Sequence, residues 1–254
     1  MATYKKRGHK PKTKVEKQAQ IEQDSTTAEV FNTLDQGASK TEAWVAKNQN
    51  IILGVIGAIA IIVLGFLGYQ EYIQKPKEQK ALNEMTQAQT YWEQALTAQN
   101  ADSLYTLSLN GGGGQYGFLE IIEKYGATNA GNLAQYYAGV AYLNKGEYQN
   151  AINHLDAFKG DDAIIAPRAT AAIGDAFNAL DQKEQALEYY AKAAKMASNE
   201  FSTPQNLLKA ARMALDLGKA SEAMGYLQQI KDSYTNSAEA TQAELYMGMA
   251  EAMQ

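Results

Sequence analysis

Read from the N-terminus, the polar and apolar positions of the chain change pattern three times. Residues 1–17, MATYKKRGHKPKTKVEK, show no apolar periodicity. From Thr26 the spacing becomes helical: Thr26 and Glu29 stand as in a capping box, and Val30, Phe31, Leu34, Ala38, Thr41, Trp44 and Val45 follow at intervals that share one face. This predicts an amphipathic helix over about 26–47, lying on a membrane surface with or without a partner there, with Trp44 as an interfacial aromatic. Residues 48–70, NQNIILGVIGAIAIIVLGFLGYQ, then hold no charged side chain. As a helix, the run from Ile51 to Tyr69 reaches about 28 Å, close to the hydrocarbon thickness of a bilayer. A buried core helix seldom stays apolar on every face for so long, and a cleaved leader would start near residue 1 and end in a small-residue cleavage site. The expectation is an uncleaved transmembrane helix.

Beyond residue 70 the pattern is helical throughout. Pro76 opens a helix whose apolar stripe is Ala81, Met85, Ala88, Trp92 and Ala95. The short run SLYTLSL is ambiguous between strand and helix. The glycines of NGGGGQYGFLEIIEKYG are not a phosphate loop, because Gln115 and Tyr116 stand where Lys-Ser/Thr would be needed; they read as a turn before a helix over Phe118 to Tyr125.

Composition and charge narrow the picture. The 254 residues are 46% hydrophobic with a net charge of -5, and no second apolar run could span a membrane, so a single-pass chain with one domain over 71–254 is expected. With no cysteine, disulfides, thiol catalysis and thiolate metal sites are excluded. The first 17 residues carry seven Lys/Arg against one Glu, a basic tail suited to anionic lipid headgroups or RNA, or serving only to fix topology. Close to the span the basic residues nearly balance, Lys40 and Lys47 against Lys75, Lys77 and Lys80, but the whole N-terminal segment holds nine and places that end in the cytoplasm. Of the two histidines, His9 falls in the tail and His154 on a helix. Asp161, Asp162, Glu120 and Glu123 read as cap and helix-surface charges without mixed ligands beside them, so neither catalyst, cofactor nor metal is expected.

The most informative stretch is AQYYAGVAYLNKGEYQNAINHL. Gly139, Tyr142, Gly146 and Ala151 have the spacing of the tetratricopeptide helix-turn-helix repeat, and Gly174, Phe177 and Ala186 repeat it thirty-five residues on. A weaker copy has Ala211, Gly218 and Ala223. The small residues let paired helices approach, with Tyr142, Phe177, Tyr190 and Leu227 filling the space between them. The resemblance covers roughly 130–235, with repeats at about 132–165, 167–200 and 204–237 and a capping helix over 238–254. It lacks the usual tryptophan of the first helix, replaced by Gln135 in the first copy. The fold expected is all-α: one N-terminal transmembrane helix followed by a tetratricopeptide-type helical-repeat solenoid.

This organisation, together with STTAEVFNTLDQGASKTEAWVAKNQN and GFLEIIEKYGATNAGNLAQYYAG, resembles the YfgM-like family of ancillary translocon subunits in its Bacteroidetes form. The resemblance implies an inner-membrane protein with a cytoplasmic N-terminus and a periplasmic domain, associated with the SecYEG channel and a PpiD-like periplasmic chaperone. A scaffold of another envelope complex, for secretion or gliding, is the alternative. Nucleic acid is not expected as a partner, apart from a contact of the basic tail with ribosomal RNA. The tetratricopeptide resemblance further implies a concave groove lined by Leu133, Tyr136, Val140 and Leu143, then Arg168, Asp175 and Asn178, then Leu208, Arg212 and Asp216. It lacks the Lys-Asn arrangement that clamps a C-terminal carboxylate, and the same residues could instead pack against a neighbouring helix. Within the span, Gly54, Ala58, Ile61, Gly65 and Gly68 share one helical face, a candidate contact with another transmembrane helix.

Overall fold

The computed structural model describes Lys14 and residues 26–253, and divides the chain into two units, Met1–Tyr69 and Gln70–Gln254. The basic tail, apart from Lys14, lies outside the described residues. In the first unit a single helix, α1 (Thr26–Tyr69), carries the amphipathic segment and the apolar run without a break at residue 48. It is apolar and long enough to cross a membrane, and none of its most apolar window is buried. Val30, Trp44 and Val45, from the expected stripe of the N-terminal half, are exposed.

The second unit opens with a π-helical turn, Gln70–Gln74, and continues as α2 (Lys75–Thr97), α3 (Asp102–Asn110), α4 (Phe118–Tyr125), α5 (Asn129–Asn144), α6 (Tyr148–Ala157), α7 (Ile165–Ala179), α8 (Lys183–Met196), α9 (Ser202–Asp216), α10 (Ala220–Ser233) and α11 (Ala238–Ala252). Among the described residues there is no strand; the one backbone bridge, Gly112 with Gln115, closes the glycine turn. SLYTLSL is helical, because Tyr105, Ser108 and Leu109 fall on one side of α3 and bury together. α2 buries Ala81, Met85, Ala88 and Ala95, with Trp92 packed beside them.

The architecture is a stack of helix pairs. Each first helix packs on its own second helix and on the next first helix, giving a continuous line α5, α7, α9, α11. The core is correspondingly segmented. One cluster joins α2 to α5, centred on Phe118, Met85 and Ile121, with Tyr137 stacked on Phe118 and edge-on to Trp92. Three further clusters follow along the repeats. This is the all-α, tetratricopeptide-type solenoid after a single apolar helix, in which each pair buries what it could not bury alone.

Candidate interaction surface

Backbone geometry repeats before side chains do. At the end of α5, the amide of Gly146 donates to the Leu143 carbonyl and that of Glu147 to the Tyr142 carbonyl. Asp181 to Asn178 and Gln182 to Phe177 reproduce this after α7, and Gly218 to Leu215 and Lys219 to Ala214 after α9. These are three copies of one helix-ending motif, and each needs a left-handed residue: Gly146 at φ 76°, Asp181 at 58° and Gly218 at 72°. The helix starts are tied down locally as well. Thr128 Oγ1 accepts from the amide of Gly131, Asp162 Oδ1 from Ile164 and Ile165, and Asn199 Oδ1 from Phe201 and Ser202. Burial alone would raise the Asp162 carboxyl, yet those amides hold it below its ordinary range.

The small residues act by close approach. A Cβ on Gly139 would lie 2.5 Å from Leu155 Cγ, and one on Gly174 2.7 Å from the Tyr190 ring. Ala151, Ala186 and Ala223 of the second helices are fully buried, and the Ala186 carbonyl lies 3.3 Å from where a Cβ on Gly174 would stand. His154, on α6, is held by Gln135 Oε1 at 2.7 Å and stacks on Tyr142, and burial lowers its pKa. Gln135 thus fills the place of the usual tryptophan with a hydrogen bond across the pair.

The ten residues expected to line a groove divide into distinct groups. Leu133 packs on the first cluster, while Tyr136, Val140 and Leu143 pack on the cluster that holds Ala169, Ala172 and Ile173 of α7. Burial raises the Tyr136 phenol, against the charge of Arg168. Leu208 is only 7% exposed and belongs to the core between α8 and α11, so it offers almost no surface. Arg168, Asn178, Arg212 and Asp216 are exposed. Arg168 sits over the Phe201 ring at 5.9 Å, and Arg212 over the Tyr246 ring at 5.8 Å. Asp175 accepts hydrogen bonds from Lys209 Nζ at 2.7 and 2.8 Å and from the Tyr190 hydroxyl at 2.8 Å. Burial, then the charge of Asp175, raises the Tyr190 phenol far above its ordinary value. Lys209 lay outside the expected set; it stands one turn before Arg212 on the same helix.

The repeat register continues into α11. Gly174 and Ala211 are thirty-seven residues apart, and the same step leads to Gly248, while Asn206 and Met213 lead to Ala243 and Ala250, buried like their counterparts. By that step α11 corresponds to the first helix of a fourth repeat, and Met249 to Arg212. Leu245 and Met249 on α11, and Met253 just after it, are exposed hydrophobics.

A comparison with known proteins agrees with this geometry. The chain is 29% identical over 114 residues to Tetratricopeptide repeat protein 29 of Homo sapiens, an alignment covering 43% of this chain and 22% of that protein. The chain therefore spans about a fifth of the relative's length. No family model and no solved structure matches it.

In the first unit, Gly54, Ala58, Ile61 and Gly65 are exposed and Gly68 is half-buried. A Cβ added at Gly54, Gly65 or Gly68 would meet nothing within 4 Å. The structure leaves this face of α1 open.

Proposed function

We propose that this chain is a non-enzymatic, membrane-anchored interaction protein, and more finely an accessory subunit of the SecYEG translocon that links it to a PpiD-like periplasmic chaperone or to emerging secreted chains. Its N-terminus is cytoplasmic and its repeat domain periplasmic in the inner membrane. The observation that carries this reading is the apolar segment of α1, whose most apolar window has no buried residue. Lipid or a partner helix must cover it, because so many unburied apolar side chains would not remain in water. The stripe Gly54, Ala58, Ile61, Gly65 and Gly68 is the contact face within the span, since small residues let two backbones approach in lipid. The tetratricopeptide-type stack supports the interaction role, because successive repeats build extended binding surfaces.

Purification in mild detergent, followed by identification of co-purifying proteins, tests the assignment. Recovery of SecYEG subunits is expected, and its loss is expected when Gly54, Ala58 and Gly65 are replaced by leucine while insertion persists. Protease added to spheroplasts should remove the domain beyond Lys75 and spare residues 1–47. Digestion of the N-terminal segment instead would reverse the topology.

A further inference from the structure

The backbones of the second helices α6, α8 and α10 stay apart from one another, because the stack is built through the first helices. A groove of about 660 Å³ therefore opens between α8 and α10, floored by Leu187, Ala191 and Tyr226. It lies within the stack: a further helix pair would add beyond α10 and α11 and leave it uncovered.

The outer face of α8 carries Glu184, Glu188, Lys192 and Lys195 at steps of four, four and three, all exposed. The ion pairs among the described residues lie elsewhere, at Lys75, Lys124, Lys145, Lys209 and Lys231. Lys192 leans over the Tyr189 ring at 5.5 Å instead of reaching Glu188. The order sets acid beside acid and base beside base, which costs an isolated helix stability. The macrodipole accounts for Glu184 in the first turn and Lys195 in the last, but its reach ends there, so Glu188 and Lys192 need another reason. Nor does the repeat impose the pattern. The corresponding residues are Gln149, Asn153, Ala157 and Gly160 in and after α6, and Ser221, Gly225, Gln229 and Asp232 on α10.

The surrounding charges keep the same division. Asp181 and Glu222 add to the acidic end, against Lys183 and Lys219. Asp156 and Lys159 flank the basic end and offset each other, with Glu200 in the loop beyond it. Asp232 is bonded to Gln228 outside the groove.

We infer that this face of α8, with its groove, binds the same face of a second copy of the chain, antiparallel about a two-fold axis beside Ala191. Glu184 then meets Lys195 of the second copy and Glu188 meets Lys192, and the symmetry makes each pair twice. Charge complementarity selects this occupant, since the face is its own complement when reversed, and the half-buried Ala191 at its centre lets the helices approach. A single helix pair buries less than the about 800 Å² per partner of a free-standing dimer. Anchoring both copies in one membrane, which rests on the reading above, supplies the effective concentration that holds it.

The chain has no cysteine, so single cysteines report the geometry. The full chain is reconstituted in proteoliposomes and treated with a short bismaleimide. Ala191→Cys should cross-link to itself, and Glu184→Cys to Lys195→Cys in a mixed sample, each at least about tenfold above Asn153→Cys on the matching face of α6, which sets the collision baseline. Glu184→Cys should stay at that baseline with itself, because antiparallel pairing sets the two sites about 18 Å apart. In the Ala191→Cys chain, Glu184→Lys with Glu188→Lys should lower the yield about tenfold, as should Lys192→Glu with Lys195→Glu, and mixing the two variants should restore it. All four side chains are exposed, and circular dichroism checks the fold; Glu188→Gln with Lys192→Gln replaces the reversals if helix is lost and should lower the yield about threefold. Self-linking of Glu184→Cys equal to its linking with Lys195→Cys, a yield unmoved by the charge variants, or Ala191→Cys at baseline each overturns the inference. These cross-links without SecYEG recovery refute the translocon reading alone, and SecYEG recovery with Ala191→Cys at baseline refutes this one alone.

Discussion

Replacing Asp181 by glycine should stabilise the repeat domain, although it removes a charged side chain from an exposed turn. Asp181 is the non-glycine residue among the three that end α5, α7 and α9 in the left-handed region, where Gly146 and Gly218 do the same work. A side chain there costs about 1–2 kcal/mol, less for Asp than for most. Glycine relieves that cost but gives the unfolded chain more freedom, worth about 0.4–1 kcal/mol in the other direction. Electrostatics nearly cancels, since Asp181 follows the C-terminus of α7, where a carboxylate is unfavourable, and precedes the N-terminus of α8, where it is favourable. The net gain expected is about 0.5 kcal/mol, against a loss of about 1 kcal/mol for Gly146→Ala or Gly218→Ala. For a domain of this size, 1 kcal/mol corresponds to about 2–4 °C in Tm. Thermal unfolding by circular dichroism of the full chain in detergent reads the sum, and hydrogen exchange at the amides of Glu147, Gln182 and Lys219 reads each turn separately, which matters because repeat arrays can unfold in parts. Asp181→Asn isolates the charge. If Asp181→Gly destabilised as much as Gly146→Ala, the shared turn geometry would not be what these residues have in common.

Other substitutions follow from contacts at single atoms. Gly131→Ala would put a Cβ 2.0 Å from the Tyr125 carbonyl oxygen and should cost about 3 kcal/mol in a urea titration, whereas Gly248→Ala, which meets nothing within 4 Å, should gain about 0.8 kcal/mol. Glu78→Ala removes the carboxylate that accepts from the amides of Asn129 and Ala130 at 2.7 and 2.8 Å, and should lower stability by about 1–2 kcal/mol in the same titration. Tyr190→Phe should cost about 1 kcal/mol, because Asp175 keeps Lys209 and part of its water. For His154 the folded pKa lies below the unfolded one, so the unfolded chain takes up the proton first as pH falls. Stability is complete above the ordinary histidine range and declines through pH 6.5 toward the folded pKa. His154→Gln should flatten that part of the stability profile, and an unchanged profile would mean that the burial of His154 is not its source.

What the sequence displayed was whatever geometry forbids any other residue from doing. Gly139 and Gly174 are visible because a Cβ would strike Leu155 or Tyr190, and Gly146 and Gly218 because of their φ. Asp181 performs the same task invisibly, since aspartate is common at any exposed turn. The stripe of α2 was legible from its period, but the contact of Glu78 with the start of α5 joins residues about fifty apart and leaves no local signature. Leu208 sits at a groove position by count and is buried in fact, because α11 folds down over it with Tyr246 and Met247. The place of α11 in the repeat is legible in the chain too, since the step from Ala211 to Gly248 repeats the step from Gly174 to Ala211.

The same register explains why part of the expected groove is spent on the stack itself. Asp175 on α7 meets Lys209 on α9, and Arg212 on α9 meets Tyr246 on α11, so the row Val140, Asp175, Arg212 of each first helix faces the row Ala172, Lys209, Tyr246 of the next. Val140 obeys the rule by packing into the cluster that contains Ala172. A side chain in this row therefore serves the joint between repeats first and reaches a partner only with what the joint leaves over. Val140 is consumed by apolar packing and Asp175 by its ion pair, whereas Arg212 meets only the face of a ring and keeps its donors. Binding capacity along the row thus rises from α5 to α9, and a partner that engages this face should be more sensitive to changes at Arg212 than at Val140 or Asp175, even where the latter pair costs more stability.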